Sequence, residues 1–344
     1  MDARPYRLGL LGFGNVGGAL ARRLIDDADE IARAAGRPVR LQVIAVRHPD
    51  GRPMPAPMDR AERLIERSDL DAVVELIGGL EPAHTYIHTA LAAGRQVITA
   101  NKQLIATQGP ALALLGPLRF EASVASAIPI VETLAETLAA DRIRYVSGIL
   151  NGTTNSMLDG MAAGASYSDA LADAQQRGLA EADPAADVDA HDPAAKLAIL
   201  VMLAFRRRID PSLIERVGIR GLQHAAFADA GRSGQVVKLV AAAIYQGNTI
   251  AADVRPRLIP ADSPMARVGG AMNAITVEAA YAGRLRFEGP GAGPDPAASA
   301  VLADIIRAAR DAPASAGMLM AGLADLPPAD VHPLGSNAPY PAAS

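Results

Sequence analysis

Apolar residues in the first hundred positions alternate between short continuous runs and stretches with helical spacing. The runs at 7–11, 41–46, 71–78 and 96–100 have the length of buried strands. The stretches at 18–35, 61–68 and 84–94 place apolar residues on one helical face. Alternating strands and helices predict a parallel sheet with helices on both faces, which is a doubly wound α/β domain.

The pattern changes near residue 130. A helical stretch at 131–143, a strand at 145–150 and a turn at 151–161 with several hydroxyl side chains follow one another. Further strands are predicted at 255–260, 274–283 and 284–289, and a glycine- and proline-rich break at 289–296 precedes a last helix. These elements predict a second domain of the α+β class.

The predicted organisation therefore has four parts. Residues 1–135 form a dinucleotide-binding domain, and residues 136–295 form a substrate-binding and dimerisation domain. The helix at 296–311 returns to the first domain. Residues 312–344 are rich in Ala, Pro, Ser and Gly, which predicts a low-complexity tail, either loose or lying as an arm on a neighbouring copy.

Composition narrows the classes of function. At 344 residues the chain is long enough for two cores, and its hydrophobic fraction of 50% is typical of a globular protein. The net charge is −4 with no basic block, so no nucleic-acid partner is expected. The longest later apolar run, 197–205, is too short to cross a bilayer, and we expect no membrane partner. The absence of cysteine excludes thiolate chemistry and fits the cytoplasm.

A glycine motif lies directly between the first predicted strand and helix. Gly12, Gly14 and Gly17 have the GxGxxG spacing, and in this context the motif is typical of dinucleotide binding. The first glycine permits a tight turn, the second lets the backbone approach a pyrophosphate, and the third allows close packing of helix and strand. The alternative is an ordinary flexible loop. The predicted cofactor-binding residues of this turn are Gly12, Phe13, Gly14, Asn15, Val16 and Gly17.

The residue after the second strand bears on the choice of cofactor. An acidic residue is usual there, because it binds the ribose 2′-hydroxyl of NAD, but this chain has Arg47 and His48. A guanidinium at that position suits a 2′-phosphate, so we predict NADP in preference to NAD, which stays possible. The alternative is that Arg47 is a solvated surface charge.

An acidic run at 180–200 is the least expected feature of the chain. Five carboxylates precede Lys196, which begins an apolar helical stretch: Glu181, Asp183, Asp187, Asp189 and Asp192. By itself the run is consistent with a charged surface loop. Asp192 is predicted to cap the helix, with Pro193 at its first position and Lys196 on the same face four residues later.

Several stretches together resemble the homoserine dehydrogenase family. They are VVELIGGLEPA (73–83), TANKQLIA (99–106), FEASVASAIPIVETL (120–134), GILNGTTNSML (148–158) and GPGAG (289–293). The acidic run is similar to the family signature through Ala174, Gly178, Asp183-Pro184, Asp187, Asp192 and Lys196. The resemblance covers about residues 7–310.

This resemblance implies a reaction and its residues. The family interconverts L-homoserine and L-aspartate 4-semialdehyde with NAD(P)H in threonine and methionine biosynthesis. A substrate with an α-ammonium explains the acids, because a buried ammonium needs carboxylates and other acceptors. The implied substrate-binding residues are Thr153, Glu181, Asp187 and Asp192, and Gly78, Gly79 and Lys102 are implied on the cofactor side. Asp183 is interpreted as shaping the turn and Asp189 as a solvated charge.

Two lysines are the candidate catalytic residues. Hydride transfer to an aldehyde leaves negative charge on oxygen, which requires a cation or an acid. Lys102 follows a strand of the parallel sheet, whose strands bind ligands beyond their carboxyl ends. By resemblance we interpret Lys102 as the proton donor and Lys196 as the cation nearest the acids. Taken alone, each lysine is consistent with an ordinary surface charge.

The resemblance also implies a monovalent cation and a homodimer. The cation would lie on the backbone carbonyls of Glu121, Val124, Ser126 and Ile128. The histidines do not cluster at metal-ligand spacing, so no transition metal is expected.

Three places depart from the family pattern. Ser126-Ala127 and Ala190 stand where glycines are expected, and Ala297 stands in place of a threonine. These departures leave two alternatives open: a paralogue acting on another amino-acid aldehyde or oxo acid, and a nucleotide-binding regulator without catalytic activity.

Overall fold

The computed structural model describes residues 4–49, 51, 53–247, 249–310 and 326–334. They divide into two compact units, one within 1–132 and 293–326 and the other within 133–292 and 327–344. Each unit has its own β-sheet. Within the described residues, no helix has the length and apolar character required to span a bilayer.

The first unit contains a parallel sheet, which confirms the predicted fold class. In the described part of the chain its strands are β1 (Tyr6–Leu11), β2 (Val39–Ala45), β3 (Ala72–Glu75), β4 (Gln96–Thr99) and β5 (Leu118–Arg119). Their order is β2-β1-β3-β4-β5, and all neighbours are parallel. The chain moves outward from β1 to β2 and then returns to β3. The carboxyl ends of β1 and β3 therefore form the switch point at which such sheets bind ligands.

Helices connect these strands. They are α1 (Asn15–Asp26), α2 (Ala28–Ala35), α3 (Ala61–Glu66), α4 (Ala83–Ala92), α5 (Lys102–Ala113) and the single turn α6 (Ile130–Glu132). The sequence predicts one helix over 18–35, but the structure has two, α1 and α2, and α1 begins before residue 18. Helix α1 begins at Asn15 inside the glycine turn, and the chain leaves the helical conformation at Asp27, whose φ is −105° and ψ is 20°. Asp27 donates its backbone N–H to the Arg23 carbonyl, which ends α1.

The second unit is built on a mostly antiparallel sheet, as an α+β class requires. Its strands in the described range begin with β6 (Ile143–Ile149), β7 (Glu215–Arg216), β8 (Gln235–Gln246), β9 (Thr249–Pro260), β10 (Met272–Ala279) and β11 (Gly283–Pro290). The order β11-β10-β6-β8-β9 is antiparallel throughout, and β7 pairs in parallel with β9.

The helices of the second unit carry the acidic run. They are α7 (Gly152–Ala162), α8 (Tyr167–Gln176), α9 (Ala185–Val188), α10 (His191–Phe205) and α11 (His224–Arg232). Every residue of α10 after His191 is buried, and the helix packs on β6 and β8. The helix predicted over 131–143 is shorter in the structure: α6 continues as a π-helical turn at Thr133–Thr137, and β6 begins at Ile143.

The last described elements are α12 (Pro294–Arg310) and β12 (Asp330–His332). Helix α12 belongs to the first unit and packs on α1, with Val301, Ile305 and Ala308 in the core. Strand β12 pairs in parallel with β9 of the second unit. Of the predicted tail, 326–334 is described, and 312–325 and 335–344 lie outside the described residues.

A buried carboxyl group lies where α12 meets the segment after β5. Asp304 is 3% exposed, and it accepts the backbone N–H of Glu121 at 2.8 Å. Arg307 Nη1 lies 3.3 Å from Asp304 Oδ1. Burial, followed by the nearby Glu121 carboxylate, raises the pKa of Asp304 to about 8, against the opposing effects of the Glu121 N–H and Arg119.

This raised pKa predicts a pH-dependent stability. A carboxyl group with a folded-state pKa near 8 and an unfolded pKa near 3.8 stabilises the fold fully below pH 4 and loses that stabilisation as pH rises through 8. We expect Asp304→Asn to gain unfolding free energy relative to the wild type between pH 5 and 9, by on the order of 5 kcal/mol at most. Urea unfolding of both proteins across this range measures the difference. Asp295→Asn, at an exposed position of α12, is the control, and a difference independent of pH for Asp304→Asn would contradict the assignment.

Candidate active site

A cleft of about 770 Å³ lies at the carboxyl ends of β1, β2 and β3. The residues that line it come from the glycine turn, from the end of β2 and the loop after it, from the start of α3, from the loop after β3 and from α4. They are Gly12, Phe13, Gly14, Ala45, Val46, Arg47, His48, Arg60, Ala61, Glu62, Ile77, Gly78, Glu81, Pro82 and Tyr86. The cleft thus lies at the topological switch point of the sheet.

The glycine turn has the conformation that a dinucleotide requires. Gly12 has a φ of +96°, which a side chain would strain. A Cβ on Gly17 would lie 2.4 Å from the Gly12 carbonyl oxygen, so only glycine allows α1 to approach the turn this closely. Gly14, at the N-cap of α1, has no heavy atom within 4 Å of its Cβ position. Asn15 and Val16 begin α1, so its N-terminal N–H groups are available to a pyrophosphate.

Two arginines line the cleft beyond β2. One is the predicted Arg47, which lines it together with His48, and Arg60 before α3 adds a second guanidinium that sequence reasoning missed. Glu62 is an acid of the same wall, and the Tyr86 hydroxyl donates to its Oε1 at 2.7 Å. This hydrogen bond holds the pKa of Glu62 below its ordinary value.

A buried carboxylate that sequence reasoning missed joins the loop after β3 to the start of α5. Glu75 Oε1 accepts the backbone N–H groups of Ile77 (2.7 Å) and Gly78 (2.9 Å), and Glu75 Oε2 accepts the Thr99 hydroxyl at 2.5 Å. The sequence offered one signal for Glu75, an acid inside an apolar strand, because a fully buried carboxylate needs hydrogen-bond partners.

The same network extends to Asn101, which precedes the predicted catalytic Lys102. The Thr99 hydroxyl accepts the Asn101 backbone N–H at 3.0 Å. Asn101 caps α5 by accepting the Leu104 N–H at 3.2 Å, and its amide donates to the Gly79 carbonyl at 2.6 Å. Lys102 is the first residue of α5 and follows β4. Gly78, Gly79 and Asn101 are therefore joined by one hydrogen-bonded chain, and Lys102 directly follows Asn101.

In the second unit, part of the acidic run gathers around Lys196. The Lys196 ammonium lies 2.8 Å from Asp192 Oδ2 and donates to the Leu150 carbonyl at 2.7 Å. Lys196 is 7% exposed and Asp192 is 5% exposed, so the pair is buried. The amide of Asn151 donates to Asp187 Oδ1 at 2.6 Å and to Asp192 Oδ2 at 2.9 Å. The structure thus brings Asp187, Asp192 and Lys196 together.

Other predicted residues lie near this cluster in sequence but have different contacts. Thr153 donates its hydroxyl to the Leu179 carbonyl at 2.7 Å. The Glu181 side chain is exposed. Asp183 accepts the Ala185 N–H at 3.1 Å, in agreement with a turn-shaping role.

Two expectations about the run are wrong. Asp189 is not simply solvated, because Arg220 donates to both of its oxygens, at 2.6 and 3.0 Å, and this lowers the pKa of Asp189. Asp192 is not the cap of α10, because the helix begins one residue earlier and its N-cap is Ala190. The expected shared face of Asp192 and Lys196 is confirmed by their ion pair.

The departures from the family pattern differ in backbone conformation. Ser126 has a φ of +32° and Ala190 a φ of +63°, a region that favours glycine. Each costs on the order of 1 kcal/mol relative to glycine. Ala127 is not among the described residues with positive φ, so a side chain is tolerated there without this strain. Ala297, in place of a threonine, is a buried residue of α12.

The segment named as a cation site lies in the first unit. Its Glu121 carboxylate accepts the backbone N–H groups of Val131 and Glu132, both at 2.9 Å. The Ile128 carbonyl accepts the Ile130 N–H at 2.8 Å. Val124 and Ser126 are buried. Among the residues described, no group of three or more His, Asp or Glu side chains could hold a metal ion.

Comparison with known proteins covers both units. A family model described as "Homoserine dehydrogenase, NAD binding domain" matches residues 12–116, and one described as "Homoserine dehydrogenase" matches residues 129–306. The homoserine dehydrogenase of Mycobacterium tuberculosis is 43% identical over 324 residues, which is 90% of this chain and 74% of that protein. That of Corynebacterium glutamicum is 44% identical over 319 residues, covering 88% and 72%.

Solved structures agree with these sequence matches. A homoserine dehydrogenase from Thiobacillus denitrificans superposes with a TM-score of 0.89 at 37% identity, covering 96% of this chain and 80% of that one. A hyperthermophilic archaeal homoserine dehydrogenase in complex with NADPH superposes with a TM-score of 0.75 at 27% identity, covering 89% and 98%. With both family models matched and relatives above 40% identity along most of its length, the chain belongs to the homoserine dehydrogenase family.

Proposed function

We propose that this chain catalyses the reversible, nicotinamide-dependent interconversion of L-homoserine and L-aspartate 4-semialdehyde, a step of threonine and methionine biosynthesis. The observation that carries the proposal is the cluster of Asp187, Asp192 and Lys196, in which Asp192 and Lys196 are buried and Asp187 is partly exposed. Two carboxylates with one ammonium leave one negative charge, which an amino-acid ammonium would neutralise.

The proposed roles follow from the charges of the reaction. Asp187, Asp192 and Glu181 bind the substrate ammonium, and Thr153 adds an acceptor oxygen. A bound reduced nicotinamide supplies the hydride. Negative charge then develops on the aldehyde oxygen, where the Lys196 ammonium stabilises it and Lys102 donates the proton. In the reverse direction Lys102 takes the proton from the homoserine hydroxyl.

The cofactor site fits a dinucleotide, and we propose NADP as the preferred form. The glycine turn leaves the α1 N-terminus open for the pyrophosphate, and Arg47 and Arg60 line the wall where a 2′-phosphate would lie. NAD lacks this phosphate and would gain nothing from either guanidinium.

Arg47→Ala is expected to weaken NADP binding by about tenfold or more and to leave NAD binding within about twofold, because the lost contact is a charge-assisted bond to the phosphate. Fluorescence titration with each reduced dinucleotide measures both affinities. Arg40→Ala removes an exposed guanidinium of β2 that does not line the cleft and serves as the control. An equal loss for the two dinucleotides would reject the phosphate contact.

Three further features complete the proposal. A monovalent cation on the carbonyls of Glu121, Val124, Ser126 and Ile128 predicts higher activity in potassium or sodium than in a bulky organic cation. A homodimer formed through the second unit predicts twice the chain mass in sedimentation. A location in the cytoplasm stays a prediction from the sequence.

Steady-state kinetics of the purified protein tests the reaction. With L-homoserine at alkaline pH we expect reduction of NADP, and more slowly of NAD, that saturates with homoserine. If both dinucleotides bind but no homoserine-dependent reduction occurs, the proposed reaction is rejected in favour of a paralogue acting on a different amino-acid aldehyde or oxo acid, or of a regulator without catalytic activity. The positive φ of Ser126 and Ala190 is the structural feature that motivates that alternative.

A further inference from the structure

The side-chain amide of Asn151 donates two hydrogen bonds and accepts two. Asn151 lies between β6 and α7 and is 5% exposed. Its carbonyl oxygen accepts the backbone N–H of Thr154 at 2.8 Å and the Thr154 hydroxyl at 2.9 Å, which caps α7. Its nitrogen donates to Asp187 Oδ1 and Asp192 Oδ2, at 2.6 and 2.9 Å. One small side chain therefore fixes a helix start and two acids together.

The two acids come from different elements, and like charges repel. Asp187 is in the short helix α9, and Asp192 is in the first turn of α10. Lys196 pairs with Asp192 at 2.8 Å. A second cation at position 151 would also hold the acids together, but it would neutralise the cluster. The amide offers two donors and no charge, so the carboxylates are held side by side while the three charged groups keep a net charge of −1.

We propose that Asn151 is a positioning residue that holds Asp187 and Asp192 in place for the substrate ammonium without neutralising them. This inference rests on the proposed function, since it assumes that an amino-acid ammonium binds these acids. It acts through the carboxylates, and Asn151 itself need not touch the substrate.

Capping of α7 does not require asparagine, so variants can separate the capping role of Asn151 from its role in holding Asp187 and Asp192. Serine and aspartate cap helices about as well as asparagine does. Asn151→Ser keeps an acceptor for the Thr154 N–H but removes both amide N–H donors to the acids and leaves one hydroxyl on a shorter side chain. Asn151→Asp also keeps the cap, but it places a third carboxylate against the other two. Both variants are therefore expected to fold.

The expected result is a selective loss of substrate affinity. Contacts to the ammonium are the same in the ground state and the transition state, so their loss raises KM with little change in kcat. For Asn151→Ser we expect the KM for L-homoserine to rise about tenfold, with the KM for the dinucleotide unchanged. Asn151→Asp should raise the KM for L-homoserine further, because its added carboxylate repels the other two. Lowering the pH should reduce this additional rise in KM. In both variants the acidic limb of kcat/KM should move to higher pH, because the carboxylates lose donors that favour their charged form.

A second cap in the same unit is the control. Ser166 caps α8 by accepting the Asp169 N–H at 3.1 Å, and neither residue belongs to the acid cluster. Ser166→Ala should lower stability without changing the KM for homoserine. If Asn151→Ser leaves that KM and the pH profile unchanged, or raises the KM for both substrates alike, Asn151 is only a helix cap and the proposal is wrong.

Calorimetric titration with L-homoserine separates this inference from the proposed function. A wild type that binds homoserine without oxidising it, and a variant that binds it more weakly, would support the role of Asn151 and reject the reaction. A wild type that does not bind homoserine at all would reject both.

Discussion

Replacing Lys196 with methionine is expected to reduce kcat with L-homoserine by at least about 100-fold, because the charge that develops on the substrate oxygen loses its buried cation. The lysine is 7% exposed and is oriented by the Leu150 carbonyl and by Asp192, so the ammonium is already desolvated and fixed before the reaction. A preorganised charge of this kind stabilises a transition state more than solvent does. Steady-state kinetics at saturating NADP measures the loss.

Removing this lysine also leaves the Asp192 carboxylate buried without its ammonium, which destabilises a protein by roughly 3–5 kcal/mol. Activity must therefore be compared at a temperature where the variant is folded by circular dichroism. Lys238→Met is the matched control, because Lys238 is also a buried lysine of the second unit, 3% exposed and paired with Asp159 at 2.7 Å. It should lose stability but keep kcat within a few-fold. A Lys196→Met enzyme with wild-type kcat would place the chemistry elsewhere.

The alternation of elements in the first unit could be predicted from sequence because each of its signals is local. A buried strand followed by Gly12, Gly14 and Gly17 predicts a strand, a turn and a helix without knowledge of the rest of the chain. The error over 18–35 has a local cause too: Asp27 interrupts a stretch whose apolar spacing continues on both sides.

Strand β8 shows where local signals fail. Its residues 240–243 belong to an alanine-rich run that favours a helix, yet the strand lies inside a sheet between β6 and β9. Partners on both sides satisfy its backbone, and tertiary context overrides propensity. Those partners are set by the fold of the whole unit, so no pattern within 235–246 could predict the pairing.

The residues of the candidate site divide in the same way. The contact between Lys196 and Asp192 was predictable, because side chains four residues apart on a helix lie on the same face. Asn151 and Glu75 were not, because their roles depend on contacts to residues brought near by the fold: Asn151 contacts Asp187, 36 residues away, and Glu75 contacts Thr99, 24 residues away. Sequence therefore identified Lys196 and Asp192, and the structure was needed to find Asn151 and Glu75, which contact residues distant in sequence.

Lys102→Ala is expected to lower kcat by about 100-fold or more, because the proton that completes aldehyde reduction loses its donor. Lys102 starts α5 beyond the carboxyl end of β4, and the adjoining Asn101 is fixed by Thr99 and the Gly79 carbonyl, so its backbone position is well defined. Gln103→Ala, at the next and exposed position, keeps the helix and should keep kcat. Proton transfer also has a specific signature, since an added small amine such as methylamine should restore part of the activity of Lys102→Ala and none of that of Gln103→Ala. If kcat of Lys102→Ala stays within about threefold of the wild type, the proton comes from another group. If kcat falls strongly and the amine does not restore it, Lys102 has a purely electrostatic role.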